Sequence, residues 1–152
     1  MTRRSDLTFA CLDDVMTDVE RLMARHVTVG QWSLGQILNH LTTAIRLTLE
    51  GHRRSTEPTR EQEVTRRYFF RSSKFPEGME IPLPILNPQL DRDINIEAIA
   101  LRETIARFVS FDGELPAHPR LGPLTKEQWS RFHCMHCAHH LSFAVPVRGA
   151  RA

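Results

Sequence analysis

Apolar residues recur every three or four positions along four stretches of the chain, which is the spacing of amphipathic helices. These stretches are Phe9 to Arg25, Leu34 to Glu50, Ile94 to Phe108 and a last one that contains Trp129 to Phe143. A shorter segment rich in glutamate and arginine, Thr59 to Phe70, also has the character of a helix. The pattern therefore predicts a helical chain.

Two of the predicted helices begin with a recognisable capping box. Ser33 precedes the second helix and Gln36 follows three residues later, so each side chain can bond to the backbone N–H of the other residue. Thr125 and Gln128 repeat this spacing before the last helix, and Pro146 is expected to stop that helix. These signals define where both helices start.

Two other parts of the chain lack periodicity. His26 to Gly30 is expected to be a connector, and Arg71 to Leu90 a long loop, because Pro82, Pro84 and Pro88 remove backbone donors. Loops of this length in compact domains are usually functional or mobile. Two alternatives stay open: an irregular surface excursion, or a cover over a site whose wall would include Phe69, Phe70, Phe75 or Met79.

The last helix carries the most informative face. At about 100° per residue, Trp129, Phe132, His136, His140 and Phe143 fall on one side. His136 and His140 lie one turn apart within this apolar stripe, and neutral imidazoles at that spacing can form half of a metal site. The alternative is a pair of hydrogen-bonded core histidines, and we favour the metal interpretation.

The remaining histidines and cysteines near this stripe are assigned secondary roles. His133 and His139 border it and are candidates for outer-shell groups or for a proton shuttle. Cys134 and Cys137 form a C-x-x-C pair, but no second pair completes a zinc site, and both lie too far inside the helix for a redox motif. We expect them to be buried structural cysteines, and His118 to be a turn residue.

Composition restricts the class of protein. The 152 residues, 41% apolar and 25% charged, predict a single soluble domain covering residues 1–152. A net charge of +2 is too small to indicate nucleic-acid binding, and no run approaches the roughly 18 apolar residues of a membrane span. Three cysteines and the absence of an apolar signal segment favour the cytoplasm.

Two motifs resemble a known superfamily. W-S-L-G-Q-I-L-N-H-L, from Trp32 to Leu41, followed far downstream by H-x-x-H-H, from His136 to His140, resembles the DinB/YfiT-like superfamily of metalloenzymes. H-P-R-L-G-P-L-T-x-x-x-W, from His118 to Trp129, is similar to a bacterial branch of unknown function. The resemblance covers nearly the whole chain. It implies an all-α four-helix bundle, up-down-down-up, with a divalent metal held by His40, His136 and His140.

The resemblance also implies a class of chemistry. Three imidazoles suit zinc, nickel and iron alike, and some members of the superfamily use a low-molecular-weight thiol. We therefore expect a thiol-dependent transferase or isomerase acting on a small-molecule substrate, and a homodimer is compatible with the resemblance. Two alternatives are a metal-free helical-bundle interaction module and a metal-dependent hydrolase. The hydrolase is weakened because no acid stands between the ligands as in H-E-x-x-H.

Overall fold

The computed structural model describes residues 1–51 and 57–148, and this part of the chain is mostly helical. Within it, no helix has the length and apolar character that crossing a membrane requires. The described residues form five α-helices, a short 3-10 turn and two strands: α1 (Asp13–Ala24), β1 (His26–Thr28), α2 (Leu34–Glu50), α3 (Arg60–Arg71), the 3-10 turn (Pro84–Leu86), α4 (Ile94–Ser110), α5 (Lys126–Leu141) and β2 (Ala144–Pro146).

The predicted capping boxes are confirmed. Ser33 caps α2 and Thr125 caps α5, each with the reciprocal glutamine bond, and Thr59 begins α3 in the same way. The first helix is shorter than expected, since it starts at Asp13 and its N-cap residue makes no side-chain bond. Phe9, which was predicted to lie in this helix, instead precedes it and packs, partly buried, against the core.

The expected connector at 26–30 is partly a strand. β1 pairs antiparallel with β2, with His26 opposite Pro146 and Thr28 opposite Ala144. Each strand has three residues, too few to show a period of two, and the partners are far apart in sequence. Helical periodicity therefore could not predict this sheet. Pro146, expected only as a helix stop, ends β2.

The core is built mainly from α2 packed against α4. Gly35 permits a close approach, because a Cβ atom at this position would lie 2.1 Å from the carbonyl oxygen of Arg92, just before α4. α5 packs against α2 as well. The buried apolar side chains of the three helices include Leu38, Leu41 and Ile45 of α2, Leu101, Ile105 and Phe108 of α4, and Trp129, Phe132 and Leu141 of α5.

The N-terminal segment fastens the end of α5 to α1. Arg4 donates two hydrogen bonds to the buried carboxylate of Asp18, at 2.8 and 2.9 Å. The same guanidinium donates to the carbonyl oxygens of Leu141, at 3.0 Å, and Ala144, at 2.9 Å. These bonds satisfy one carbonyl at the carboxyl end of α5 and one in β2. α5 carries four of the chain's eight histidines.

Candidate metal centre

His40 is oriented by the long loop. It lies on the buried part of α2, and its Nδ1–H donates to the carbonyl oxygen of Leu86 at 2.6 Å. A donating Nδ1 leaves the lone pair of a neutral imidazole on Nε2. Metal-ligating histidines are commonly held by such a bond to a backbone carbonyl. The sequence gives no sign of this carbonyl, since it lies in the loop.

The other two predicted ligands meet His40 in space. The Nε2 atoms of His40 and His136 are 3.1 Å apart, and Nε2 of His140 is buried without a hydrogen-bond partner. The ring centroids are separated by 4.9 Å for His40 and His136, 4.4 Å for His40 and His140, and 4.7 Å for His136 and His140. One ligand atom from each residue lies within 4.8 Å of the others, close enough to hold a metal ion.

A divalent ion fits this donor set. Tetrahedral zinc with ligands at about 2.0–2.1 Å places neighbouring nitrogens about 3.3–3.4 Å apart. This spacing lies between the 3.1 Å that separates the nitrogens of His40 and His136 and the 4.8 Å within which all three ligand atoms fall. A proton shared between His40 and His136 would satisfy those two nitrogens but would leave His140 unpaired. Buried polar atoms without partners are costly, so an ion that uses all three nitrogens accounts for the arrangement better.

Burial keeps the three imidazoles neutral. It lowers the pKa of His40, lowers the pKa of His136 well below its usual value, and lowers the pKa of His140 to about 2. Repulsion among these neighbouring histidines adds to the effect on His136 and His140. Neutral imidazole is the form that binds metal, so the site is ready for an ion at neutral pH.

The three histidines line a cavity of about 800 Å³ with mostly apolar walls. The ring of Trp32 lies 4.9 Å from that of His40 and 5.6 Å from that of His140. Trp129 and Phe132 form another part of the wall, as expected. Phe143 does not line this cavity, but packs on His139 and borders a smaller cavity beside His140.

The loop after α3 covers the site. Phe75 and Met79 line the cavity, whereas Phe69 and Phe70 do not, and Phe69 is buried behind Phe132. The loop is fastened to the start of α2 by bonds from Gln36 Nε2 to the Pro88 carbonyl, and from the Ser33 hydroxyl to Asp91. Of the two alternatives for this loop, the structure supports the one in which it covers a site.

Glu80 is a site residue that sequence reasoning missed. Among the described residues that line the cavity, it is the only charged one. Its negative charge opposes the effect of burial on the pKa of His40 and of His139. Nothing in the sequence marks it, because it lies in a stretch without periodicity and far from the histidines.

The other histidines and the cysteines of α5 lie outside the group of three. His139 contacts the ring of His140 at 4.8 Å but does not belong to the group of three histidines that could hold a metal. His133 lines the same cavity but is also outside that group, and its Nε2 lies 3.1 Å from the Thr48 hydroxyl. Cys134 and Cys137 are buried, which raises the pKa of Cys134 to about 11 and raises that of Cys137 further. Both are therefore thiols at neutral pH, as structural cysteines should be.

His118 is the turn residue that was predicted. It forms an isolated bridge with Gly122, and its Nδ1 accepts hydrogen bonds from the backbone N–H groups of Arg120, at 3.0 Å, and Leu121, at 3.2 Å. It is not among the ligands.

Comparison with known proteins identifies the family. Residues 1–147 match the family model described as Protein of unknown function (DUF1569), and the chain belongs to this family. No curated protein and no solved structure matches the chain.

Proposed function

We propose that this member of the DUF1569 family is a metal-dependent enzyme in which His40, His136 and His140 hold one divalent ion, namely zinc, nickel or iron. One observation carries the proposal. Nε2 of His140 is buried without a partner, beside two Nε2 atoms that face each other at 3.1 Å. Three nitrogen ligands leave coordination positions for water or substrate, as catalytic metal sites require.

We further propose that α1, α2, α4 and α5 form a four-helix bundle of the DinB/YfiT-like type, with α3 and the loop as an insertion. The packing supports this arrangement, since α1 contacts α4 and α5, and α2 contacts the same two helices. The ligands come from α2 and α5, and such bundles often place metal sites between facing helices. The proposed homodimer rests on the motif resemblance alone.

The chemistry we favour is thiol-dependent transfer or isomerisation of a small molecule. A divalent ion on three neutral imidazoles keeps its full charge, so it can hold a thiol sulfur as thiolate or lower the pKa of a bound water. The thiol would come from a low-molecular-weight cofactor, because Cys134 and Cys137 are buried and protonated. Cys11 is exposed and lines a different cavity.

Metal-assisted hydrolysis is the second candidate, and Glu80 is the observation that favours it. A hydrolase needs a base to accept a proton from the attacking water. No acid lies between the ligands in sequence, but the structure supplies a carboxylate on the cavity wall. Glu80→Gln separates the two candidates, because it should abolish hydrolysis by removing the base while leaving thiol transfer largely intact.

The test of the metal site is elemental analysis of protein prepared without a histidine tag or chelator. We expect about one equivalent of zinc, nickel or iron per chain, and a higher Tm when metal is restored after chelation. His40→Asn is the sharpest variant, since the asparagine amide can still donate to the Leu86 carbonyl while the Nε2 ligand is lost. His136→Ala and His140→Ala should also lose the metal.

His139→Ala is the matched control, because it removes a histidine from the same helix that contacts His140 but lies outside the ligand group. It should retain the metal. Wild-type protein without metal, whose Tm does not respond to zinc, nickel or iron, would overturn the proposal and favour a metal-free interaction module. Loss of metal in His139→Ala but not in His40→Asn would show that the assigned ligands are wrong.

A further inference from the structure

A second polar cluster lies on the wall of the same cavity and takes no part in metal binding. It consists of His118, His133 and Thr48, and the structure buries all three, with 3% of His118 and 1% of His133 exposed. Nε2 of His118 and Nδ1 of His133 have no hydrogen-bond partner. Buried polar atoms are nearly always satisfied in folded proteins, so these two nitrogens require an explanation.

The turn around His118 determines its tautomer. Its Nδ1 accepts from two backbone N–H groups, of Arg120 and Leu121. An accepting nitrogen carries no proton, so the proton of the neutral imidazole lies on Nε2. His118, a residue of the cavity wall, therefore has a buried N–H donor, and no acceptor in the described structure receives it.

The hydrogen bonds of Thr48 support a tautomer for His133 as well, although a hydroxyl, unlike a backbone N–H, can either donate or accept. The hydroxyl of Thr48 donates to the carbonyl oxygen of Ala44 at 3.3 Å, in the preceding turn of α2. Its oxygen is then the acceptor for Nε2–H of His133, 3.1 Å away. The proton of His133 lies on Nε2, and its unpaired Nδ1 is an acceptor. The cluster thus offers one donor and one acceptor.

The rings of His118 and His133 contact the same two aromatic side chains. The ring of Phe132 lies 4.9 Å from His118 and 5.7 Å from His133, and Trp129 contacts the same two histidines at 5.7 and 5.4 Å. Phe132 also contacts His136 of the metal centre, at 5.9 Å. The donor and acceptor therefore belong to one aromatic wall that continues to the histidine triad.

The rest of the cavity restricts the ligand further. Its described wall contains no lysine or arginine, and its single charged residue is the acidic Glu80. Apart from the metal, nothing there would compensate the desolvation of a carboxylate or phosphate. Proline, leucine and isoleucine residues of the loop supply apolar surface. Such walls fit an uncharged, largely apolar molecule.

We infer that His118 and His133 bind a hydroxyl group of an uncharged, largely apolar substrate, which accepts from Nε2–H of His118 and donates to Nδ1 of His133. A hydroxyl is both donor and acceptor, so it satisfies both nitrogens at once. Both nitrogens are covered by neighbouring atoms, so binding of the hydroxyl group requires the adjacent rings of Trp129 and Phe132 to shift. That the bound molecule is a substrate rests on the proposed function, whereas its binding needs no metal.

The test compares three ligands of similar size: 2-naphthol, its methyl ether and 2-naphthoate. Equilibrium dialysis near neutral pH, with the protein as purified and after chelation, gives the Kd of each. We expect 2-naphthol to bind about tenfold more tightly than the ether, which lacks the donor proton, and naphthoate to bind weakest to chelated protein. The preference for the alcohol should remain after chelation. The proposed hydroxyl-binding site can therefore be tested independently of the proposed metal site.

Two variants test the assigned atoms. His118→Asn keeps an acceptor for the backbone N–H groups of the turn but has no N–H at the Nε2 position, so 2-naphthol and its ether, whose oxygens both accept from that N–H, should each bind about tenfold less tightly. Thr48→Val removes the group that orients His133 and should reduce the preference for the alcohol over the ether to about threefold or less. Thr43→Val is the control, since Thr43 makes an equivalent bond to the Asn39 carbonyl but does not line the cavity.

The inference is overturned if the alcohol and its ether bind wild-type protein equally, or if none of the three ligands binds. It is also overturned if folded His118→Asn protein, verified by circular dichroism, binds 2-naphthol as tightly as wild type, or if folded Thr48→Val protein keeps the full preference for the alcohol.

Discussion

Acidification should destabilise this protein, and His118 allows the size of one contribution to be worked out. Burial, with a smaller effect from the positive charge of Arg120, lowers the pKa of His118 to about 4 from an ordinary value of 6.5. Above pH 6.5 both the folded and the unfolded state carry a neutral imidazole, so this residue has no effect on stability there. Between the two values only the unfolded state binds the proton, and stability falls as the pH falls.

The expected magnitude follows from the difference between the two pKa values. A difference of about 2.5 pH units at about 1.36 kcal/mol per unit corresponds to a loss of about 3 kcal/mol between pH 6.5 and 4. His118→Asn keeps the bonds of the turn but has no titrating group. Between pH 6.5 and 4 the free energy of unfolding should therefore decrease by about 3 kcal/mol less in the variant than in the wild-type protein.

Urea unfolding followed by circular dichroism, at a series of pH values and with chelator present, measures this difference. Chelator removes the separate effect of metal release. The quantity compared is the change with pH, so a constant offset between the two proteins does not matter. Parallel curves for wild type and His118→Asn between pH 6.5 and 4 would refute the reasoning, because they would show that His118 titrates normally in the folded protein.

Three further predictions concern stability and reactivity. Arg4→Ala removes both hydrogen bonds of Arg4 to the buried carboxylate of Asp18, leaves Arg21 as a cationic neighbour at 3.9 Å, and should lower the free energy of unfolding by about 3 kcal/mol, the lower end of the cost of breaking a buried ion pair. Asp18→Asn in the Arg4→Ala background should recover part of this loss in urea unfolding. Gly35→Ala forces a Cβ atom against a backbone carbonyl and should lower Tm. Gly30→Ala is the control and should lower Tm less, because the nearest atom to the new Cβ would be a side-chain atom 3.3 Å away. Iodoacetamide should label Cys11 in the folded protein and the two cysteines of α5 only after unfolding, as mass spectrometry would show.

Local signals account for what the sequence predicted well. The capping boxes at Ser33 and Thr125 involve residues three positions apart, so they are visible without knowledge of the fold. His136 and His140 are likewise related by one helical turn, and periodicity alone brings them to one side of α5. His40 is different, because its position on α2 does not distinguish a ligand from a packing residue. Only the motif resemblance assigned it to the site.

The parts that were not predicted depend on contacts between distant segments. The sheet pairs two three-residue strands from opposite ends of the chain, and Glu80 reaches the cavity from a loop without periodicity. α5 shows a related limit. Cys134 is not part of the histidine stripe but is buried, as predicted, because α5 is covered on more than one side and its apolar residues do not form a single stripe.

The loop between α3 and α4 has a part in the site distinct from that of the helices. α2 and α5 supply the three histidine nitrogens that could hold a metal, whereas the loop orients His40 through the Leu86 carbonyl, covers the cavity with Phe75 and Met79 and contributes the charge of Glu80. A metal held by these two helices would need little from the loop beyond that one carbonyl. Changes to loop side chains should therefore alter which molecule the cavity accepts while leaving the metal in place, so metal affinity and substrate choice can vary independently.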